Sequence, residues 1–252
     1  MTPTLANGMI SPDPAGYIMT HHYKITDLIV EMDSFGRTVE QAIPYLADGM
    51  QKADISIVSN WKQFKKKYPF ISDDECEYCF TAYSFYTQLV SFGGLMLHSS
   101  AVMMDGKAYL FSAPSGTGKS THTQLWLDVF GEKATILNDD KPALRRIDGE
   151  WYAYGTPWSG KHDKSINTRV PLGGICVLRR GDVNKIEPYR GAGAIKDIFE
   201  QTPRDTNAEY VSKLLELLDK LLCEVPVWKM ECNMDPDAAR MSYAAMSGRK
   251  EK

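Results

Sequence analysis

The run LHSSAVMMDGKAYLFSAPSGTGKSTHTQLW, residues 97–126, constrains this chain more than any other stretch. The β-favouring residues Ala108, Tyr109, Leu110 and Phe111 lead into Ser115-Gly116-Thr117-Gly118-Lys119-Ser120-Thr121, and a helix-compatible run over residues 121–130 leads out. Strand, small-residue loop and helix, in that order, make an anion cradle. Small side chains let successive backbone N–H groups turn inward, and the helix N-terminus adds the positive end of its dipole. At this spacing Lys119 is placed to reach the outer phosphates of a nucleotide, and the Ser120 hydroxyl to ligate magnesium. The first glycine of the usual pattern is replaced by Ala113. Alanine is strained there if the backbone needs φ > 0, and adequate if only a small side chain is needed.

Downstream, residues 133–137 (KATIL) read as a strand running into Asn138-Asp139-Asp140. Two adjacent carboxylates at a strand end, just after a phosphate loop, suit magnesium binding and activation of a hydroxyl. His98 lies on the strand that precedes the loop, read as residues 95–104; taken alone it is a structural strand histidine. Asp105-Gly106 turns that strand into residues 107–112, and Asp148-Gly149 joins residues 142–147 to 150–154, both as hairpins. The segment GTPWSGKHDKSINTRVPLGG, residues 155–174, is rich in turn formers and cationic, and carries an exposed-looking Trp158. Loops of this make-up often close over substrate, which makes Trp158, Lys161, His162, Lys164 and Arg169 candidates for phosphate or acceptor contacts. A plain surface loop is the alternative.

The remaining elements frame this centre. Residues 1–16, with three prolines and two glycines, read as a loose arm, and residues 17–32 as two short strands joined at Thr26-Asp27. His21 and His22 fall on opposite faces of the first strand, which argues against a metal pair. Residues 53–58 suggest a strand, and Lys65-Lys66-Lys67 among aromatics a solvated face. Ser72 opens a helix whose first turn carries Asp73, Asp74 and Glu75, as the dipole favours. Its stripe of Cys79, Phe80, Tyr83, Tyr86, Leu89 and Val90 reads as core. Residues 175–180 suit a buried strand and 193–201 a short helix. Leucines at helical spacing predict a longer helix over 205–223, followed by a strand over 225–230 and a closing helix over 235–246 capped near Asp235.

A net charge of −3 over 252 residues gives no electrostatic case for nucleic acid or an acidic membrane. The N-terminus has no basic start and no apolar run, and no stretch is long enough to span a bilayer, so a cytoplasmic protein is expected. Five cysteines without repeating spacing fit reduced thiols. Cys76 and Cys79 lack the second ligand pair that a structural zinc site needs.

The order HSSA, GKAYLFSAPSGTGKST and NDD resembles the nucleotide core shared by HPr kinase/phosphorylase and ATP-dependent phosphoenolpyruvate carboxykinase. The carboxykinases carry an HCSA-like run where this chain has His98-Ser99-Ser100-Ala101, and an SGTGKT loop. The likeness covers residues 95–147 best and extends weakly to about residue 180. It implies an α/β fold with a mixed-sheet P-loop core of that type, flanking helices and a β-containing N-terminal extension. Residues 1–92 would form the extension and 93–252 the nucleotide-binding core with a helical tail, in one compact unit. Residues 115–121 would bind ATP, with Lys119 on the β- and γ-phosphates. Ser120 and Asp140 would hold Mg2+ or Mn2+, Asp139 would act as general base, and His98 would lie beside the γ-phosphate or the metal. The implied activity is a kinase that moves the γ-phosphoryl group to a hydroxyl, serine in a protein or peptide; a small-molecule acceptor is the other class. A regulatory module without turnover, or a carboxykinase-type enzyme on a small carboxylated metabolite, are the alternatives. No nucleic acid and no membrane are expected as partners.

Overall fold

The computed structural model describes residues 19–49 and 51–248. The expected N-terminal arm lies outside them, and so do the first two residues of the first expected strand.

The chain opens with a small three-stranded sheet. Its strands are β1 (Met19–Ile25), β2 (Leu28–Ser34) and β3 (Ile55–Ile57), in the order β1-β2-β3. Thr26 and Asp27 both take positive φ, which closes the tight β1–β2 hairpin. Three helices accompany this sheet: α1 (Gly36–Ala42), α2 (Trp61–Lys67) and α3 (Asp73–Leu89). Only α3 was legible beforehand. Ser72 caps it by accepting a hydrogen bond from the Glu75 N–H at 3.1 Å. Its buried face runs through Tyr78, Thr81, Ala82, Phe85, Tyr86 and Leu89. Tyr83, expected in the core stripe, points outward and donates to Asp205 at 2.6 Å.

The larger sheet has nine strands. In chain order they are β4 (Gly94–Met96), β5 (Ser99–Met104), β6 (Lys107–Ser112), β7 (Ala134–Asn138), β8 (Ala143–Ile147), β9 (Glu150–Tyr154), β10 (Arg169–Arg180), β11 (Lys185–Pro188) and β12 (Val227–Cys232). Seven lie in the order β4-β8-β9-β10-β6-β5-β7, and β12 joins β10 to β11. Both Asp-Gly hairpins form with positive φ at both turn residues. The expected strand over 95–104 is instead two strands that part at Leu97-His98. β10 begins six residues earlier than expected: its first three residues pair antiparallel with β9, from Leu172 on it runs parallel to β6 with a register shift at Gly173, and from Ile175 it also runs parallel to β12. The glycine pair is forced by crowding, since a Cβ on Gly174 would sit 2.5 Å from the Trp228 ring.

Strand alternation sorts side chains to two faces. Leu110, Ile175 and Val177 face a core closed by α5 (Ala192–Phe199) and α6 (Ala208–Glu224). Phe111, Cys176 and Leu178 face a second core with α4 (Lys119–Phe130) and α7 (Asp237–Ser247). A third core fills the three-stranded sheet and α3, and it takes Ala143, Tyr154 and Trp158 from the later part of the chain. The glycine loop therefore emerges from a central strand, between helices and beside the N-terminal sheet.

Candidate active site

The loop between β6 and α4 is held from inside and outside. Gly116 and Gly118 have φ of +77° and +119°, which side chains resist. Ala113 is not among the positive-φ residues and is buried in the α4 core, so the position needs a small side chain and alanine is unstrained. Its carbonyl accepts the Lys119 ammonium at 2.9 Å. Burial pushes the Lys119 pKa down, while Asp140 and Asp139 pull it back up. From the end of β10, Arg180 donates to the carbonyls of Gly116 and Thr117. Those oxygens would repel an anion in the loop, and a fixed cation now neutralises them. Behind the loop helix, His122 is buried against Ser242 (3.0 Å), and burial lowers its pKa to about 4, so it serves the core.

The acidic pair stands across from the loop. Asn138 ends β7, and its Oδ1 accepts the N–H groups of Asp140 (3.0 Å) and Lys141 (2.7 Å), which folds the turn. Its amide donates to the carbonyls of Thr156 (3.2 Å) and Trp158 (3.3 Å), fastening the next loop to this turn. Asp139 is buried and accepts the Ser100 hydroxyl at 2.6 Å; Ser100 in turn meets Thr123 of α4 at 2.8 Å. Asp140 meets His98 Nε2 at 3.1 Å and also the Lys141 ammonium. Burial pushes the Asp140 carboxyl up, but the His98 hydrogen bond and the Lys141 charge outweigh it and hold it well below the ordinary value. His98 occupies the gap between β4 and β5, where its N–H binds the Gln201 carbonyl (2.8 Å) and its Nδ1 meets the Gln201 side chain (3.0 Å). The break in the expected strand is thus what aims the imidazole at Asp140.

These groups share one cavity of about 590 Å³. Of the sequence-stated candidates it is lined by His98, Ser115, Gly116, Gly118, Lys119, Ser120, Thr121, Asp139, Asp140, Lys161 and His162. Thr117 lies on the far side of the loop, on a second cleft of about 440 Å³ walled by Leu125, Leu178 and Met234. Three candidates are corrected: Lys164, whose ammonium donates to Gln124 at 3.3 Å and does not line the cavity, Trp158 and Arg169. Trp158 is fully buried: its ring stacks on Phe85 at 5.0 Å and its N–H donates to Thr81 at 3.2 Å, because the N-terminal core claims the indole. Arg169 does not line the cavity; it pairs with Asp27 and lies 5.1 Å from the Tyr152 ring.

The N-terminal helices supply residues that the sequence did not single out. Arg37, Glu75 and Tyr78 line the cavity. Arg37 lies 4.3 Å from the Tyr78 ring, ion-pairs with Asp163 (2.6 Å) and Glu75 (3.3 Å), and donates to the Gly160 carbonyl. The Tyr78 hydroxyl accepts the Ser159 N–H at 2.8 Å. Together they clamp the turn that carries Lys161 and His162. A Cβ on Gly160 would sit 2.7 Å from the Asp140 Cβ, so only glycine lets that turn approach the acidic pair. Lys141, next to the acidic pair, was findable from its position; Arg37 belongs to no motif and carried no signal.

Among the described residues no three His, Cys, Asp or Glu side chains converge as a protein-only metal centre would require. Asp139, Asp140 and Ser120 on one cavity are hard oxygen donors that suit magnesium, an ion that takes one or two carboxylates and completes its shell with phosphate and water. Among the described residues no helix is long and apolar enough to cross a membrane.

No family model and no curated protein matches the chain. Among solved structures, that of the Hpr(Ser) kinase/phosphatase from Coxiella burnetii is similar over 61% of this chain and 95% of that one, at 12% identity and a TM-score of 0.35.

Proposed function

We propose that this protein is an ATP-dependent kinase of the HPr-kinase-like kind, transferring the γ-phosphoryl group to a hydroxyl, serine in a protein or peptide. The observation that carries the reading is the meeting of the glycine loop, Lys119, Ser120 and the Asp139-Asp140 pair on one cavity. Residues 115–121 cradle the phosphates as the P-loop of the fold, and Lys119 leaves the Ala113 carbonyl for the β- and γ-phosphate oxygens. The second cleft, with apolar walls beside Thr117 and Gly118, has the place and character to take the nucleoside.

Ser120 and Asp140 would hold Mg2+, or Mn2+, which when bound neutralises phosphate charge. Asp139 takes the proton of the acceptor hydroxyl as its oxygen bonds to the γ-phosphorus, and the bond from that phosphorus to the bridging oxygen breaks to leave ADP. Ser100 orients Asp139. His98 orients Asp140 and keeps it charged.

The test is incubation with γ-labelled ATP, magnesium and a lysate of the source organism, with wild-type protein and Lys119→Ala in parallel. Label on a macromolecule that depends on Lys119 supports the reading. ATP binding without label on any acceptor would instead favour a regulatory module, and absence of ATP binding would end the nucleotide assignment.

A further inference from the structure

The helix α2 is unlike the others. None of its residues is buried, and the segment from Trp61 to Phe70 carries four lysines and no acid. Lys65 is engaged: it pairs with Asp73 at 3.1 Å and donates to the Ile71 carbonyl. Lys62, Lys66 and Lys67 have no carboxylate within ion-pair distance among the described residues. The ammonium groups of Lys62 and Lys67 lie 5.9 and 5.6 Å from the rings of Trp61 and Tyr68. Phe70 is 100% exposed and Tyr68 39% exposed. Seven residues are too few for a helix to persist alone in water. This one is held at its ends, by the Trp61 ring against Phe35 (5.5 Å) and by Lys65 on the start of α3. A fully exposed phenylalanine beside three unpaired lysines, in a chain whose net charge is −3, is a local reversal of the molecule's sign.

The position of the patch gives that reversal a use. The Lys65–Asp73 pair joins α2 to the first turn of α3, and Glu75 of the same turn lines the candidate cavity with its partner Arg37. A chain leaving the cavity past Arg37 and Glu75 would meet the first turn of α3 and then α2. We propose that the segment from Trp61 to Phe70 is a docking surface for the acceptor polypeptide, one whose phosphorylated residue is followed or preceded by an acidic stretch containing an aromatic or aliphatic side chain. This rests on the kinase reading above and names the acceptor class. Opposite charge steers the encounter and fixes register, and Phe70 and Tyr68 supply the apolar contact that ions alone do not.

The test uses the full chain and two labelled synthetic peptides without serine: one carrying four acidic residues and a phenylalanine, the other with those acids replaced by glutamine. Fluorescence anisotropy is read at low and at physiological salt. The acidic peptide should bind at least about tenfold more tightly than its neutral counterpart, and more weakly as salt rises. The triple variant Lys62→Glu, Lys66→Glu, Lys67→Glu should lose that preference and bind the neutral peptide more tightly than the acidic one, with an unchanged thermal melt and ATP affinity. Phe70→Ala should weaken both peptides by about the same factor. Equal binding of the two peptides, or a triple variant that keeps wild-type preference, overturns the proposal. So does binding to anionic phospholipid vesicles with none to the acidic peptide, which would make the patch a lipid contact. Docking is read without turnover. A protein that binds the acidic peptide but transfers no label loses the kinase reading alone, and one whose triple variant still labels the lysate acceptor at wild-type rate loses the docking surface alone.

Discussion

Two carboxyl groups, Glu77 in the N-terminal unit and Asp140 in the candidate site, are both drawn away from water and end in opposite states. Glu77 is completely buried; one oxygen takes the Thr38 hydroxyl and the other has no hydrogen-bond partner among the described residues. Burial raises its pKa to about 8, and the Thr38 hydrogen bond offsets only part of that. Asp140 feels burial in the same direction, but His98 and Lys141 hold it ionised. The difference is the presence of cations, since hydroxyls alone do not hold a buried charge. One region keeps its acid neutral as part of a core. The other sets the Lys141 charge and a hydrogen bond to His98 against its acid and keeps it ionised.

The comparison can be broken most sharply at the site. Asp139→Asn keeps the shape and the Ser100 hydrogen bond but cannot take a proton. Transfer to the acceptor should fall by three to four orders of magnitude, roughly 4–5 kcal/mol of barrier, with Mg-ATP affinity nearly unchanged by calorimetry. Full turnover in this variant would show that no charged base is needed.

Next in size is the seam between the regions. Trp158 comes from the site's own loop yet completes the N-terminal core against Phe85 and Tyr86. Trp158→Ala should cost about 3–5 kcal/mol and lower the melting temperature by roughly 10 °C. If stability were kept and only acceptor kinetics changed, the two regions would not share this anchor.

The pH dependence of stability tests the carboxyls themselves. Glu77 has its folded pKa raised from 4.5 to about 8, so the folded state binds a proton that the unfolded state has already lost. Its stabilising contribution is complete below about pH 4.5 and is lost as pH rises through 8, at most about 5 kcal/mol in all. Asp140 has its folded pKa depressed below 3.8, so its contribution is present above that value and is lost as pH falls. Melting temperature should therefore decline on both sides. Glu77→Gln should flatten the alkaline side and leave the acid side alone; an unchanged alkaline slope would mean that the carboxyl is not neutral.

The smallest effect belongs to Arg37. Its ion pairs are partly exposed and contribute little to stability, but they clamp the turn bearing Lys161 and His162. Arg37→Ala should raise the acceptor KM about tenfold, with kcat and ATP affinity close to wild type and the melt shifted by less than about 1 kcal/mol. A loss of kcat instead would move Arg37 from positioning to chemistry.

Where local chemistry decided the outcome, the sequence was readable. The Asp-Gly turns, the Ser72 cap and the strand–loop–helix order all depend on residues within a few positions of one another. The features it hid are tertiary. Trp158 looked exposed because its neighbours are glycines and lysines, and nothing nearby says that Phe85 waits for it across 73 positions of chain. His98 looked like one residue of a continuous strand, since the break is imposed by Gln201 and Asp140, both distant in sequence. Arg37 and Tyr78 reach the cavity only because the small sheet packs beside the large one. The early start of β10 was masked by Pro171 and the Gly173-Gly174 pair, which read as turn formers.

The order in which the chain is made gives the last strand and helix a weight beyond packing. β10 lacks its outer parallel neighbour until β12 has been synthesised, and the back of α4 is sealed only when Ser242 of α7 reaches Trp126 and His122. A nascent chain halted near residue 225 would hold every residue of the glycine loop and the acidic pair, with the helix behind that loop open to solvent. Such a chain should be a target for chaperones and proteases, although no residue of its candidate site is missing. Folding of the helix behind the glycine loop is therefore completed only when β12 and α7 reach it, not when its own codons are read.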